Sequence, residues 1–374
     1  MDFRLTMEEK LIQKMAHEFA STQIEPIAAQ IDREKKIPRE IANKMGDAGL
    51  LGMPLPRQYG GSDSGFLNWI LALEQMHYPV SSASSFMNMC VMVGRGIVQF
   101  GTEAQKKQFI PPLCTGELIG SWAFTEPSTG SDPKSLVTRA ERDGGHWVIN
   151  GVKRFNTKGN LDGPAVVFAN VDGLKTTAFI VDKNQEGYIN SKPYELMGNL
   201  GTETVDTRFV NVRVGQDRLL GEIGQGFSIL LAAAAVGRLG LSIKSVAMAQ
   251  AAQDEGVKYA KQRTRRGVPI GSMQAIQWLL AEIAVRVEGA RWMTYRTAAL
   301  KDQGSDILKE SSMIKLFATR LAKEAVDMSM QIHGSYGFIR DFKIERIYRT
   351  VKENELIEGS SEVQRSIIGG HLMN

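Results

Sequence analysis

Along the first hundred positions, apolar residues recur at intervals of three and four. Phe3, Met7, Leu11, Ile12, Met15 and Phe19 line one side of a helix with charges opposite. Pro54-Leu55-Pro56 and Gly60-Gly61 interrupt the pattern, which resumes almost uncharged from about residue 66 to residue 100 and predicts a buried or pocket-lining helix. Near residue 121 the period changes. Trp147-Val148-Ile149 precedes Asn150-Gly151, a turn signal of the kind that joins hairpin strands. Residues 164–169 and 176–181 are short β-rich runs, and 208–214 alternate apolar with polar. Long helical patterns return after Gly226: one alanine-rich as far as Lys261, others over about 274–302 and 305–333, and a last one after Glu358.

Helices, then strands, then helices predict an α+β chain that is mainly α. The expected units are an N-terminal helical domain over 1–120, a small middle β domain (sandwich or barrel) over 121–225, and a C-terminal four-helix-type bundle over 226–374. A length of 374 residues suits two or three domains.

Composition mostly excludes. With 45 Lys plus Arg against 41 Asp plus Glu, the net charge of +4 is too small and too dispersed for nucleic-acid binding. The five histidines are scattered and never occur as H-x-x-x-H, so no metal site is expected. Cys90 and Cys114 sit among apolar residues, which fits a reducing compartment. The acidic start lacks the pattern of a signal or transit peptide, and no apolar run of about 18 residues predicts a membrane span. A cytoplasmic protein is expected. Gly94-Arg95-Gly96 and Gly224-Gln225-Gly226 lack the third glycine and the β-α-β setting of a Rossmann site, and no P-loop is present.

Five segments carry candidate chemistry. The first, Trp122 through Phe124, Thr125-Glu126-Pro127 and Gly130-Ser131-Asp132, is rich in turn formers and alone reads equally well as a plain loop. About 30 residues on, Lys153-Arg154-Phe155-Asn156-Thr157 reads as strand. Arg263-Thr264-Arg265-Arg266-Gly267-Val268-Pro269-Ile270, followed by Gln274, ends one helix and opens another, because Gly267 tolerates positive φ. The fourth is Gln331-Ile332-His333-Gly334-Ser335-Tyr336-Gly337, in which His333 reads as a packed or capping residue. In the fifth, Ile357-Glu358-Gly359-Ser360-Ser361-Glu362, Ser360 can cap the terminal helix. Arg238 stands as the lone charge between Phe227 and Ile243, a placement that costs stability unless it is paired.

In their order and spacing, over essentially the whole chain, these segments resemble the acyl-CoA dehydrogenase family, whose motifs read T-E-P-x-x-G-S-D, K-x-W-I-T, R-x-x-F-G-x-P-I…Q, Q-x-x-G-G-x-G and I-Y-E-G-T-x-E-I-Q-R. The resemblance implies FAD as cofactor. Trp122, Phe124, Thr125, Phe155 and Thr157 would lie along the flavin ring, and Ser131 would reach the cofactor region and the CoA moiety. Arg263 and Gln274 would meet the FAD of a partner chain, Gln331, Gly334 and Ser335 would lie where backbone N–H groups meet FAD, and Ser360 and Glu362 would contact FAD. Glu358 would be the base that removes the α-proton of an acyl-CoA thioester, while hydride passes from Cβ to flavin N5. The enolate oxygen would be held by a flavin ribityl hydroxyl and the backbone N–H of Glu358. Members that place the base elsewhere put it just before the arginine matching Arg238, where this chain has Gly237.

Substrate contacts are implied for Ser131, Arg238, Gly359, Ser85 and Asn88. The small polar pair Ser85 and Asn88, with Ile357 in place of a usual Tyr, points to a short, branched, cyclic or polar-tailed acyl group. The resemblance further implies a homotetramer passing electrons to electron-transferring flavoprotein or a similar carrier. Enoyl-CoA reduction by the same site is the alternative, and a non-catalytic flavin- or CoA-binding homologue a further one. Phe155, Asn156, Ala235, Arg266 and Ser335 depart from the family pattern.

Overall fold

The computed structural model describes residues 4–78, 82–133, 135–173 and 175–373, so Phe3 of the first helical pattern lies outside them. Helix α1 (Met7–Phe19) starts at Thr6, whose hydroxyl accepts from the Glu9 N–H while the Glu9 carboxylate accepts from the Thr6 N–H. This reciprocal cap satisfies two otherwise orphaned donors and sets where the helix begins. Short helices α2 (Ala28–Glu34) and α3 (Glu40–Asp47) follow.

The uncharged run from 66 to 100 forms two helices rather than one, α4 (Gly65–His77) and α5 (Ser85–Phe100). Pro79 falls between them in the sequence, and proline supplies no amide hydrogen to carry the α4 ladder onward. Both helices are lined with buried side chains, Trp69 and Phe86 among the largest. The buried Glu74 carboxylate on α4 receives Nε of Arg291 at 2.8 Å and the hydroxyl of Tyr295, which tethers this helix to the C-terminal bundle. Helix α6 (Glu103–Cys114) closes the first group of helices.

The middle of the chain is a mixed eight-stranded sheet: β1 (Ser121–Ala123), β2 (Arg139–Asp143), β3 (His146–Thr157), β4 (Pro164–Val171), β5 (Lys175–Asp182), β6 (Tyr188–Asn190), β7 (Thr204–Gly215) and β8 (Leu219–Leu220). Its order is β6-β7-β3-β2-β4-β5-β8, with β1 pairing parallel to β4. Asn150-Gly151 is not a hairpin turn. It lies inside the continuous strand β3, where the register with β7 slips between Ile149 and Gly151. The reversal comes earlier, at Gly144-Gly145 between β2 and β3, where Gly144 has φ +60°. At the slip Asn211 takes φ +51° and donates its N–H to Oδ1 of Asn150 at 2.8 Å. The asparagine thus pins a bulge, and the inward alternation of β7 (Val205, Thr207, Phe209) resumes shifted at Val212 and Val214.

Helices α7 (Gly226–Gln262), α8 (Gln274–Asp302) and α9 (Leu308–His333) form the C-terminal bundle, with α10 (Lys343–Val351), α11 (Glu353–Leu356) and α12 (Ser361–Met373) packed along α9. Helix α4 completes the packing against α7 and α8. By length and composition α7 could cross a bilayer, but 67% of its apolar window is buried inside the molecule. Its small residues permit close approach: a Cβ on Gly240 would sit 2.6 Å from Oδ1 of Asn88 and 3.1 Å from the Trp69 ring. Helices α5, α4 and α7 therefore meet at Gly240, and a side chain there would force them apart.

Candidate active site

Between α11 and α12 the chain turns through two consecutive left-handed residues, Glu358 (φ +55°) and Gly359 (φ +84°). A left-handed glutamate costs about 1–3 kcal/mol, so its surroundings must hold it in place. Gln364, fully buried one turn into α12, donates from Nε2 to the carbonyls of Glu358 (3.1 Å) and Gly359 (2.7 Å). Arg238 donates from Nε to the Glu358 carbonyl at 3.2 Å and from a terminal nitrogen to Ser312 Oγ at 3.2 Å. Lys315, fully buried on α9, donates from Nζ to the carbonyls of Glu355 (3.1 Å) and Gly359 (2.8 Å). Ser360 caps α12, its hydroxyl accepting from the Val363 N–H at 3.5 Å, while Glu362 is exposed.

The turn lays the Glu358 carboxylate on Gly237 of α7. A Cβ at position 237 would stand 2.6 Å from one carboxylate oxygen and 3.0 Å from the other. Burial pushes the Glu358 carboxyl above the usual range, with Arg238 and Lys315 pulling the other way. Burial also lowers the Lys315 ammonium to about 8, partly offset by the carboxylate of Glu358. The result is a half-buried carboxylate with two cations nearby, a suitable acceptor for a weakly acidic C–H proton.

One turn further along α7, Asn88 of α5 faces Gly240, and its buried Oδ1 has no hydrogen-bond partner. Ser85 has spent its hydroxyl on the Ser82 carbonyl at 2.6 Å. Two turns beyond Asn88, Gly96 lies against the Trp122 ring, 3.4 Å from where a Cβ would be. Helix α5 thus joins the neighbourhood of the base to the sheet.

On the sheet, the first two sequence segments come together. The Arg154 N–H donates to the Thr125 carbonyl at 2.7 Å, and Lys153 Nζ donates to the Phe124 carbonyl at 3.1 Å. Trp122 and Phe124 pack on Phe168, with ring centroids 5.1 Å and 5.6 Å away. Phe155 is left-handed (φ +57°), 57% exposed and 5.3 Å from the Tyr194 ring, while the half-buried Thr157 has its hydroxyl 3.4 Å from that of Thr204. Asn156, where the family pattern has an apolar residue, is buried and donates to Tyr188 Oη (3.1 Å) and Thr207 Oγ1 (3.0 Å). Ser131 is exposed on the loop after β1.

The remaining segments form a separate group. Arg263, Gln274, Gln331, Gly334 and Ser335 are exposed, and Arg263 lies over the Tyr336 ring at 5.5 Å. His333 is buried, donating from Nδ1 to the Ser329 carbonyl at 2.7 Å and stacking on Tyr259. The rise of α9 from Ser312, beside Arg238, to Gln331 is roughly 28 Å. One chain therefore does not bring the third and fourth segments to its own Glu358.

Sequence reasoning missed Lys315 and Gln364. Lys315 follows Ser311, Ser312, Met313 and Ile314 and precedes Leu316 and Phe317, so it carries the same lone-charge signal that singled out Arg238. Gln364 lies in the fifth motif, but its bonds to carbonyls are visible only once the turn is folded.

Family models for the acyl-CoA dehydrogenase N-terminal, middle and C-terminal domains match residues 6–117, 121–212 and 224–373. The chain is 37% identical to a 3-(aryl)acrylate reductase from Clostridium sporogenes, over 98% of this chain and 99% of the relative. It superposes on butyryl-CoA dehydrogenase from Megasphaera elsdenii with a TM-score of 0.97, at 30% identity and full coverage of both chains (100% and 100%). An acyl-CoA dehydrogenase from Bacillus anthracis complexed with FAD gives a TM-score of 0.94 at 30% identity, over 99% of this chain and 67% of that one. This chain belongs to the acyl-CoA dehydrogenase family, the FAD-dependent oxidoreductases of acyl-CoA CH–CH bonds.

Proposed function

We propose that Glu358 is the catalytic base of an α,β-dehydrogenation, taking the α-proton of an acyl-CoA thioester onto its carboxylate. The observation that carries this is the placement of that carboxylate on Gly237, where burial raises its basicity and Arg238 and Lys315 keep the charged form accessible. A proton acceptor held in position needs little reorganisation at the moment of transfer. The backbone N–H of Glu358 is assigned to the thioester oxygen, where enolate charge develops.

The residues on the sheet suit FAD. Phe155 is exposed and Thr157, Trp122 and Phe124 are half-buried, so these residues keep surface free for a planar ring system. When bound, FAD supplies the acceptor for the hydride equivalent from Cβ. Ser131, Ser360 and Glu362 are assigned to the same site, and Ser131 also to the CoA moiety. Arg263, Gln274, Gln331, Gly334 and Ser335 are assigned to the FAD of a partner chain, which makes the working unit at least a dimer and, by family likeness, a homotetramer. Electrons pass on to electron-transferring flavoprotein or a similar carrier. Cys usage of two buried residues, Cys90 and Cys114, fits a reducing cytoplasm.

Asn88, with its unpartnered amide oxygen, and Gly359 line the acyl region, which favours a short or polar-ended acyl group. The relative named 3-(aryl)acrylate reductase favours a second reading, reduction of an enoyl thioester by the same residues in reverse.

The test is anaerobic titration of the yellow protein with a panel of acyl-CoAs, following flavin absorbance, with Glu358→Gln alongside. Bleaching by one acyl class, lost in the variant despite retained FAD, supports the base. Equal bleaching in the variant overturns it. Rapid reoxidation of the reduced protein by an enoyl-CoA, without bleaching by its saturated partner, selects the reductive direction.

A further inference from the structure

Lys315 is among the largest fully buried side chains, although it ends in an ammonium group. Burying such a group costs several kcal/mol unless its hydrogens and charge are answered. Two hydrogens are answered by carbonyl oxygens, those of Glu355 and Gly359, which bracket Glu358. The charged groups facing the ammonium are Glu358 from the turn, Glu355 from α11, Glu362 from α12 and Arg238 from α7. The lysine therefore spans the two ends of the turn from inside the bundle, while Gln364 grips the same turn from α12.

A buried hydrophobe would fill that volume at less cost, so the retained cation calls for a reason beyond packing. We propose that Lys315 is the positioning residue of the base: its ammonium closes the turn across the carbonyls of Glu355 and Gly359, fixes the Glu358 carboxylate on Gly237, and stabilises the ionised form that accepts the proton. This rests on Glu358 being the base. Arg238 divides the work differently, since it reaches the Glu358 carbonyl and Ser312 and leaves the Gly359 end of the turn to Lys315 and Gln364. An ammonium lowered by burial to a pKa of about 8 loses its proton as the pH rises past that value, so the clamp loosens on the alkaline side.

The experiment compares the holoenzymes of wild type, Lys315→Met, Lys315→Arg and Gln364→Leu, each checked for FAD content and melting temperature. The readouts are kcat, KM and the pH profile of kcat/KM. For Lys315→Met, kcat falls on the order of 10²-fold, as expected for a base displaced by about 1 Å, with KM little changed. Its acid limb moves to higher pH, because the lost cation no longer favours the carboxylate. Lys315→Arg returns the acid limb towards its wild-type position and removes the alkaline limb, since a guanidinium stays charged. Gln364→Leu lowers kcat without moving the acid limb, because an amide carries no charge. A methionine variant with unchanged kcat, or with lowered kcat and an unmoved acid limb, overturns the proposal. If that variant does not fold, the arginine variant decides, and an alkaline limb that persists in it refutes the role. Failure of the base itself shows separately, as activity that survives Glu358→Gln in the otherwise wild-type protein.

Discussion

The ammonium of Lys153 lies 2.7 Å from Oε1 of Glu126, and neither side chain has any exposed surface. Glu126 belongs to the loop after β1 and Lys153 to β3, so this buried pair fastens together the two segments that carry Thr125, Phe155 and Thr157. Glu126 also accepts from the backbone N–H groups of Val137 (2.6 Å) and Thr138 (3.0 Å), which anchors the far end of its loop. Burial works against the ionised Glu126, but Lys153 and these donors outweigh it and hold its carboxyl below the usual range.

Breaking the pair from one side strands the other charge. Lys153→Met is expected to lose about 3–5 kcal/mol and to release FAD, read by thermal melting and by the flavin retained after gel filtration. The double variant Lys153→Met/Glu126→Gln recovers part of that loss, because no uncompensated charge remains. A single variant as stable as wild type would show that the pair does not hold the two segments.

Gly237 is the second structural requirement on the base. Gly237→Ala places a methyl group 2.6 Å from the present position of a Glu358 oxygen, so the carboxylate must swing away. The helix itself gains propensity from alanine, by about 1 kcal/mol, so stability holds or rises while kcat drops about 10²-fold. Steady-state kinetics with a melting curve separate the two effects. Wild-type kcat in this variant would mean that the carboxylate does not work from this position.

How much of this could be read from the sequence depends on how local the cause is. Helices α7, α8 and α9 were legible because long stretches of Ala, Leu and Met have few alternatives, and the Gly267-Pro269 punctuation separates two of them. The break between α4 and α5 was read past although Pro79 marks it, because helices buried on several sides lose their polar face and with it the period that would separate them. Asn150-Gly151 misled because the dipeptide satisfies a bulge as readily as a turn, and only the pairing of β3 with β7 decides. Glu358 and Arg238 were legible as candidates, one from its motif and one as a lone charge in an apolar helix. Lys315 sent the same signal, but α9 also carries Lys309, Glu310, Lys323 and Glu324, which hide one more cation in an ordinary charge pattern. The left-handed φ of Glu358 and of Phe155 arises from tertiary contacts that no local pattern encodes.

The raised pKa of Glu358 ties activity and stability to pH with opposite signs. The proton acceptor is the ionised form, so kcat/KM rises with pH through the folded-state pKa, which lies above the usual carboxylate range. Stability runs the other way. The folded state holds this proton more tightly than the unfolded state, so its contribution is full below the unfolded pKa and is lost as pH rises through the folded one. Glu358→Gln should therefore melt higher than wild type at pH 8, and the gap should close as pH falls into the carboxylate range. A gap that does not depend on pH would show that Glu358 does not titrate within that window.

The separation of Glu358 from Arg263 and Gln331 suits a complementation experiment. If FAD lies on Trp122, Phe124 and Thr157 of one chain and meets Arg263 and Gln274 of another, then Glu358→Gln and Arg263→Ala damage different halves of a site. Each homo-oligomer is then impaired at every site. In a mixed dimer, one site combines both lesions and the other has neither, because the intact Glu358 of one chain faces the intact Arg263 of its partner. Co-expressing the two variants with different affinity tags and isolating the doubly tagged species should restore activity above either parent, up to about half the wild-type level where every facing pair is mixed, as two-fold symmetry requires. Mixing the separately purified variants without subunit exchange should restore none. A doubly tagged species no more active than its parents would mean that each chain assembles its own site, and that the exposed Arg263 over Tyr336 serves packing instead.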